Sequence, residues 1–339
     1  MTPSILVTGG AGYIGSLTCV RLIEAGYRPI VLDNFSNSHP AVLARIAQLT
    51  GQAVTLVAGD VRDGALLERL LARERIHAAI HFAGLKAVGE SVAQPLDYYD
   101  VNLLGTLCLL QAMDRAGVRR LVFSSSATVY GQPQELPLTE SAPVAPANPY
   151  GQTKLAAERL IADVAASNPA WATASLRYFN PVGAHPSGQM GEDPRGIPNN
   201  LMPYIAQVAV GRRDELHIYG DDYPTRDGTG ERDYIHVLDL VDGHVAALRY
   251  LDRHTGAHCF NLGTGSAHSV LQVKSAFERA CGRTLAHRVV ARRSGDVAAY
   301  WADPARAQQA LGWKAERDLD QMCGDTWRWQ SQYPNGYAG

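Results

Sequence analysis

A chain of 339 residues, 46% hydrophobic and 19% charged, has the composition of a packed globular protein of one large or two modest domains. Its net charge of −2 supplies no basic surface for nucleic acid or an anionic membrane, so neither is expected as a partner. No apolar run approaches the roughly 18–20 residues of a membrane span, and Met1-Thr-Pro-Ser4 opens without a basic, then apolar, secretory pattern.

In chain order, short β-branched runs alternate with longer amphipathic ones. Strands are predicted at Ile5–Thr8, Pro29–Leu32, Val54–Val57, Ala78–His81, Leu121–Ser124 and Ala174–Tyr178. Helices are predicted at Ser16–Ala25, Ala65–Arg73, Val101–Ala116 and from near Tyr150. Apolar strands separated by helices imply an α/β fold with a parallel sheet covered on both faces. From Asn180 to Asn200 the many Gly, Pro and His residues predict irregular loops. Val237–Leu251 is amphipathic again, and Phe260–Gly263 is expected to return to the first sheet. The five cysteines are scattered without C-x-x-C spacing and read as buried thiols in a reducing, cytoplasmic compartment. No His/Cys/Asp set has metal-ligand spacing; His185 and His236 read as loop or core polar groups.

Two motifs carry chemistry. Thr8-Gly-Gly-Ala-Gly-Tyr-Ile-Gly15 follows a strand and opens a helix. Gly9 suits a tight turn, Gly12 a close approach of backbone to a pyrophosphate, and Gly15 close packing of helix on strand. Asp33 lies 18 residues beyond Gly15, at the end of the second strand, where its carboxylate accepts from ribose hydroxyls and repels a 2′-phosphate. NAD is therefore expected rather than NADP. Asp60 and Val61, after the third strand, are placed to meet the adenine.

The second motif is Ser124-Ser-Ser-Ala-Thr-Val-Tyr130, followed by Asn148-Pro-Tyr150-Gly-Gln-Thr-Lys154. Asn148 caps a helix and Pro149 suits its first turn, so Tyr150 and Lys154 share a helical face one turn apart. A phenol is a poor base at neutral pH. The Lys154 ammonium, with the positive nicotinamide, is expected to lower the pKa of Tyr150, and Ser126 to hold the substrate hydroxyl that Tyr150 deprotonates.

Glycine turn, serine run and Tyr-x-x-x-Lys together resemble the extended short-chain dehydrogenase/reductase family. Longer strings are similar to its UDP-glucose 4-epimerase branch: His81–Ser91, Ser124–Gly131, Arg177–Gly188, Gly196–Val210, Arg232–His236 and Ala299–Asp303. The resemblance implies a Rossmann-type doubly wound parallel sheet at residues 1–180, with returning segments near 237–264. It also implies a smaller, interleaved C-terminal α/β UDP-sugar domain at 181–339. NAD contacts implied by it are Gly9, Gly12, Tyr13, Ile14, Gly15, Asp33, Asn34, Asp60, Val61, Phe82, Lys86, Asn102, Tyr150, Lys154 and Tyr178. UDP-sugar contacts implied by it are Ser126, Tyr150, Asn180, Asn200, Leu201, His217, Tyr219, Arg232, Arg293, Asp296 and Tyr300. Arg232 and Arg293 suit a diphosphate through forked, charge-assisted hydrogen bonds. His217 and Tyr219 lie in a variable stretch where main-chain contacts are the safer expectation.

The implied activity is reversible C4 epimerisation of UDP-galactose and UDP-glucose through a 4-keto sugar, with NAD recycled within each turnover and the chain a homodimer. Tyr300 implies poor use of N-acetylated UDP-hexoses. Two alternatives remain: a nucleotide-sugar 4,6-dehydratase and a non-catalytic NAD-sensing protein on the same fold. The first needs an acid/base pair, and its relatives carry Thr-Asp-Glu where this chain has Ser126-Ala127-Thr128.

Overall fold

The computed structural model describes residues 2–293 and 295–338. Its strands are β1 (Ser4–Thr8), β2 (Arg28–Asp33), β3 (Thr55–Ala58), β4 (Ile76–His81), β5 (Arg120–Ser126), β6 (Ala172–Tyr178) and β7 (Asn180–Val182), then β8 (Leu216–Tyr219), β9 (Glu231–His236), β10 (Gly256–Leu262), β11 (Ala267–Ser269), β12 (His287–Val290) and β13 (Ala299–Tyr300). Seven form one sheet in the order β10-β6-β5-β4-β1-β2-β3, with every pairing parallel. All their carboxyl ends therefore lie along one edge. Strand order reverses between β1 and β4, which opens a crevice there.

The alternation of side chains in β1 builds both faces. Ile5 and Val7 join one core with Leu17, Val20, Val241 and Leu248, whereas Leu6 joins the other with Leu67, Leu109, Met113 and Ile161. Both faces are apolar because helices cover both, and each fully buried Leu or Ile contributes about 1.5–3 kcal/mol. Helices Tyr13–Glu24 and Val237–Leu251 pack on the first face, and Gly64–Glu74, Gly105–Arg115 and Pro149–Ser167 on the second.

A further core, with Met202, Ile205, Ile218, Val273, Phe277 and Met322, lies under the small sheet β11-β9-β13, the β7–β9 pair and the parallel pair β12-β8. Phe260 returns to the large sheet as expected, since β10 pairs with β6 throughout its length. The helix expected at Val101–Ala116 is divided: Tyr99–Leu104 is a π-helical turn, and the α-helix proper spans Gly105–Arg115. The segment 180–200 is irregular apart from β7. Among the described residues no helix is long and apolar enough to cross a membrane. Cys19 and Cys323 are buried; Cys108, Cys259 and Cys281 are half-buried, and all five are free thiols.

Candidate active site

At the carboxyl end of β1, Gly9 has φ 68°, and a Cβ there would lie 2.7 Å from the Ala83 amide nitrogen. A Cβ on Gly15 would lie 2.3 Å from the Gly9 carbonyl oxygen. Only glycine lets the turn, helix Tyr13–Glu24 and the segment after β4 meet this closely. Gly12 is the helix N-cap, with extended backbone and no side-chain cap for the first turn. That arrangement suits a phosphate as acceptor for the amides of Tyr13, Ile14 and Gly15. The Tyr13 hydroxyl itself donates to the Gly183 carbonyl at 2.6 Å, tying the turn to the chain beyond β7.

Asp33 ends β2, 7% exposed. Its carboxylate accepts from the Ala11 amide at 2.9 Å, the Phe35 amide at 2.8 Å and the Ser38 hydroxyl at 2.8 Å. A carboxylate has about four acceptor positions, so one remains for a ribose hydroxyl. Asn34 donates to Asp60 at 2.9 Å. Arg62 forks onto the same Asp60 at 2.8 and 2.7 Å and holds its carboxyl well below the usual range. Val61 is buried. Phe82 lies against the His244 ring at 4.8 Å between centroids, and Lys86 pairs with Glu192 at 2.8 Å. Asn102 projects from the π-helical turn: its carbonyl accepts from Leu85 N at 2.7 Å, and its amide donates to Leu85 O and to Thr153, both at 3.1 Å.

Ser126 ends β5 beside the crevice, and Asn148 accepts from the Gly151 amide at 2.9 Å, starting the helix that carries Tyr150 and Lys154. The Ser126 hydroxyl favours ionised Tyr150, yet burial outweighs it and pushes that phenol up to about 12. Lys154 is buried and pushed down to about 8, with Glu158 opposing the shift. Its Nζ donates to the Ser124 carbonyl at 2.7 Å and lies 5.9 Å from the Tyr150 ring centroid. The expected lowering of the Tyr150 pKa is therefore reversed in the chain alone. Desolvation favours neutral forms at both groups, and the ammonium is drawn to a backbone carbonyl instead.

Across the crevice, β13 sets Tyr300 opposite Arg232 of β9, and β7 sets Asn180 opposite Tyr234 of the same strand. The Tyr300 hydroxyl donates to Asn180 Oδ1 at 3.2 Å, and the Arg232 guanidinium lies over the Tyr300 ring at 5.0 Å. Arg232 faces Asp296 at 3.9 Å. The Arg293 guanidinium lies 3.8 Å from the Tyr219 ring centroid, and its NH1 donates to the Asn199 carbonyl at 3.5 Å. Asn200 caps helix Leu201–Ala209 by backbone alone. The His217 side chain is turned toward Glu215 at 3.3 Å and Arg288 at 3.2 Å. Tyr178 is bound to His244 through its hydroxyl.

Sequence reasoning missed several supports. Thr128 donates to Ser126 Oγ at 3.0 Å, a partner that the serine run could have signalled. Tyr98 meets Tyr150 edge-on at 6.4 Å, and nothing in the sequence marks it. Arg62, Thr153 and His244 are likewise additions. His185 bonds Ser187 at 2.8 Å and His236 bonds Asp325 at 3.2 Å. Among the described residues no three His, Cys, Asp or Glu side chains are grouped to hold a metal.

The family model described as GDP-mannose 4,6 dehydratase matches residues 6–326. Relatives narrow the likeness. A UDP-glucose 4-epimerase of Yersinia pestis is 61% identical over 98% of this chain and 99% of its own, and one of Bacillus subtilis is 56% identical over 98% of each. The chain belongs to the UDP-glucose 4-epimerase family. A solved family member from Bifidobacterium longum, in complex with NAD+ and UDP, superposes with a TM-score of 0.95 at 53% identity, covering 98% of this chain and 99% of that one. Another, from Stenotrophomonas maltophila, carries NAD and formylated UDP-arabinopyranose and gives a TM-score of 0.96 at 50% identity, with the same coverage.

Proposed function

We propose that this chain is an NAD-dependent UDP-glucose 4-epimerase that interconverts UDP-galactose and UDP-glucose. The observation that carries the reading is the meeting of Ser126, at the end of β5, with Tyr150 and Lys154 on the helix beside it, where Ser126 and Tyr300 both act on the Tyr150 phenol. The cradle fits NAD: Gly9 and Gly15 leave no room for a Cβ, the helix above Gly12 lacks a side-chain cap, and Asp33 keeps one acceptor position. Gly9, Gly12, Tyr13, Ile14, Gly15 and Asp33 would hold its pyrophosphate and ribose. Asn34, Asp60 and Val61 would bound its adenine, and Phe82, Lys86, Asn102, Tyr150, Lys154 and Tyr178 its nicotinamide half. Bound there, NAD supplies a reversible two-electron acceptor for C4 of the sugar, whose oxidised form is the 4-keto sugar.

Tyr150 takes the proton of the sugar 4-hydroxyl and later returns it, while Ser126 holds that oxygen. The chain alone keeps the phenol protonated, so Lys154 and a positive ring beside it must together favour the phenolate. Arg232 and Arg293 grip the diphosphate, and Asn180, Asn200, Leu201, His217, Tyr219, Asp296 and Tyr300 bound the uridine and sugar. Firm nucleotide binding with looser sugar contacts lets the keto sugar present its other face.

A dehydratase would need a carboxyl acid beside Tyr150, and among the described residues its neighbours Ser126, Tyr300, Tyr98, Tyr178 and Lys154 include none. A purely NAD-sensing protein would not need Ser126, Tyr150 and Lys154 together. We assign residues 1–180, with returning segments near 237–264, to the NAD-binding half and 181–339 to the UDP-sugar half. We further assign a homodimer: Val92, Leu96 and Tyr99, at 64%, 82% and 41% exposure, form an apolar patch on the short helices before Gly105. A cytoplasmic location accords with five free thiols. Tyr150→Phe tests the central assignment. It should keep bound NAD and lose nearly all turnover of UDP-galactose; near-parental activity would refute the assignment.

A further inference from the structure

Segment 183–195, which follows β7 and has no regular structure, is fastened to three elements that carry residues assigned to NAD. The Gly183 carbonyl accepts from the Tyr13 hydroxyl at 2.6 Å, on the helix after β1. Glu192 accepts from Lys86, after β4, at 2.8 Å. Arg195 donates to the Ser38 carbonyl at 3.0 Å, and the Ser38 hydroxyl bonds Asp33 at the end of β2. In the large sheet β4, β1 and β2 are neighbours in that order, so the segment reaches across the carboxyl ends of all three.

The C-terminal tail grips the same segment at three consecutive residues. The Tyr337 hydroxyl donates to the Gly191 carbonyl at 3.2 Å and accepts from the Gly191 amide at 3.1 Å. Trp329, buried on helix Leu319–Gln332, donates from Nε1 to the Glu192 carbonyl at 3.3 Å. The Tyr337 amide donates to the Asp193 carboxylate at 2.9 Å. The Trp329 and Tyr337 rings meet at 4.6 Å between centroids. Neither Gly191, against the Trp329 ring, nor Gly336, at φ 76° against Asp193, has room for a Cβ. The tail thus supplies the main chain at 191 and 192 with the partners that regular structure would otherwise give.

We infer, resting on the assignment of this cleft to NAD, that Trp329 and Tyr337 are positioning residues for cofactor retention: they clamp segment 183–195 as a strap across β4, β1 and β2. A dinucleotide held at those strand ends leaves only when the strap lifts, so the clamp acts on the rate of release. Among the described residues neither tail side chain is bonded to Ser126, Tyr150 or Lys154. Loss of the clamp therefore frees NAD and leaves the proton-transfer set as it is.

The test loads the parent, Tyr337→Ala and Arg195→Ala with NAD labelled in its nicotinamide ring, then follows the label retained after dilution into excess unlabelled NAD. Tyr337→Ala removes both hydrogen bonds to Gly191 and the ring beside Trp329, so its label should leave about tenfold faster than the parent's. Arg195 is exposed, and Arg195→Ala cuts one pin of the strap without touching the core. Its label should leave about threefold faster. Excess NAD should bring UDP-galactose turnover by Tyr337→Ala back to within about twofold of the parent's, which a damaged fold would not allow. Parental retention of label in either variant, or turnover in Tyr337→Ala that excess NAD does not restore, overturns the inference. If Tyr337→Ala fails to fold, Arg195→Ala decides by the same criterion of retention. A parent that takes up no NAD would defeat the epimerase assignment itself. A parent that holds NAD, beside variants that hold it equally long, would defeat this inference alone.

Discussion

Glu158 and Arg177 are both less than a tenth exposed and form a bidentate pair at 3.0 and 2.7 Å behind the serine run, where Glu158 also accepts from Ser125. Removing one partner strands a buried charge, so Glu158→Gln should lower unfolding stability by about 3–5 kcal/mol in denaturant titrations. A change below about 1 kcal/mol would mean that the pair relaxes into water. Burial likewise holds two histidines neutral, with pKa values pushed from 6.5 down to about 3 at His81 and about 4 at His244. Unfolding frees both to take up protons. Their contribution is whole above about pH 6.5, declines as pH falls, and levels only below the folded values. Between pH 7.5 and 5 each should remove about 2 kcal/mol of unfolding free energy, and a flat profile would contradict their burial. Tyr300, at the proposed sugar end, is fixed by Asn180, Arg232 and Phe179 and cannot swing aside freely. Turnover of UDP-N-acetylglucosamine should therefore fall well below that of UDP-glucose in a direct comparison; equal rates would show that the ring does not limit the space.

At the scale of elements, what was legible depended on whether local chemistry and tertiary structure agreed. The strand–glycine–helix unit was readable because Gly9 and Gly15 are the residues that its crowding demands. Asn148-Pro149 likewise announced the helix that bears Tyr150 and Lys154. The π-helical turn at Tyr99–Leu104 was not readable, because its apolar spacing continues that of the α-helix after it. Its reason is tertiary: Asn102 must clasp Leu85 and Thr153, which are distant in sequence. His244 was hidden for the same reason, since a histidine on an amphipathic helix looks like any core residue until Tyr178 is set against it. Arg62 reaches Asp60 from only two residues away, but nothing in the sequence separates that from a surface pair. The spacing of Tyr150 and Lys154 reports that the two are near and says nothing of their burial, which in the chain alone pushes the phenol up. Gly15→Val tests the element that was read most securely. Its Cβ would meet the Gly9 carbonyl at 2.3 Å, so the purified variant should carry little or no NAD; parental NAD content would show that the turn adapts.

Across the whole molecule, the proposed site joins the glycine turn after β1, the Ser126, Tyr150 and Lys154 set and the residues of β7, β9 and β13. The central claim is that these parts act within one turnover on one bound sugar, with the redox partner never leaving. UDP-galactose deuterated at C4, incubated with purified enzyme and no added NAD, tests this most directly. The UDP-glucose formed should retain its deuterium at C4. A requirement for added NAD, or loss of the deuterium to water or to a free cofactor pool, would contradict it.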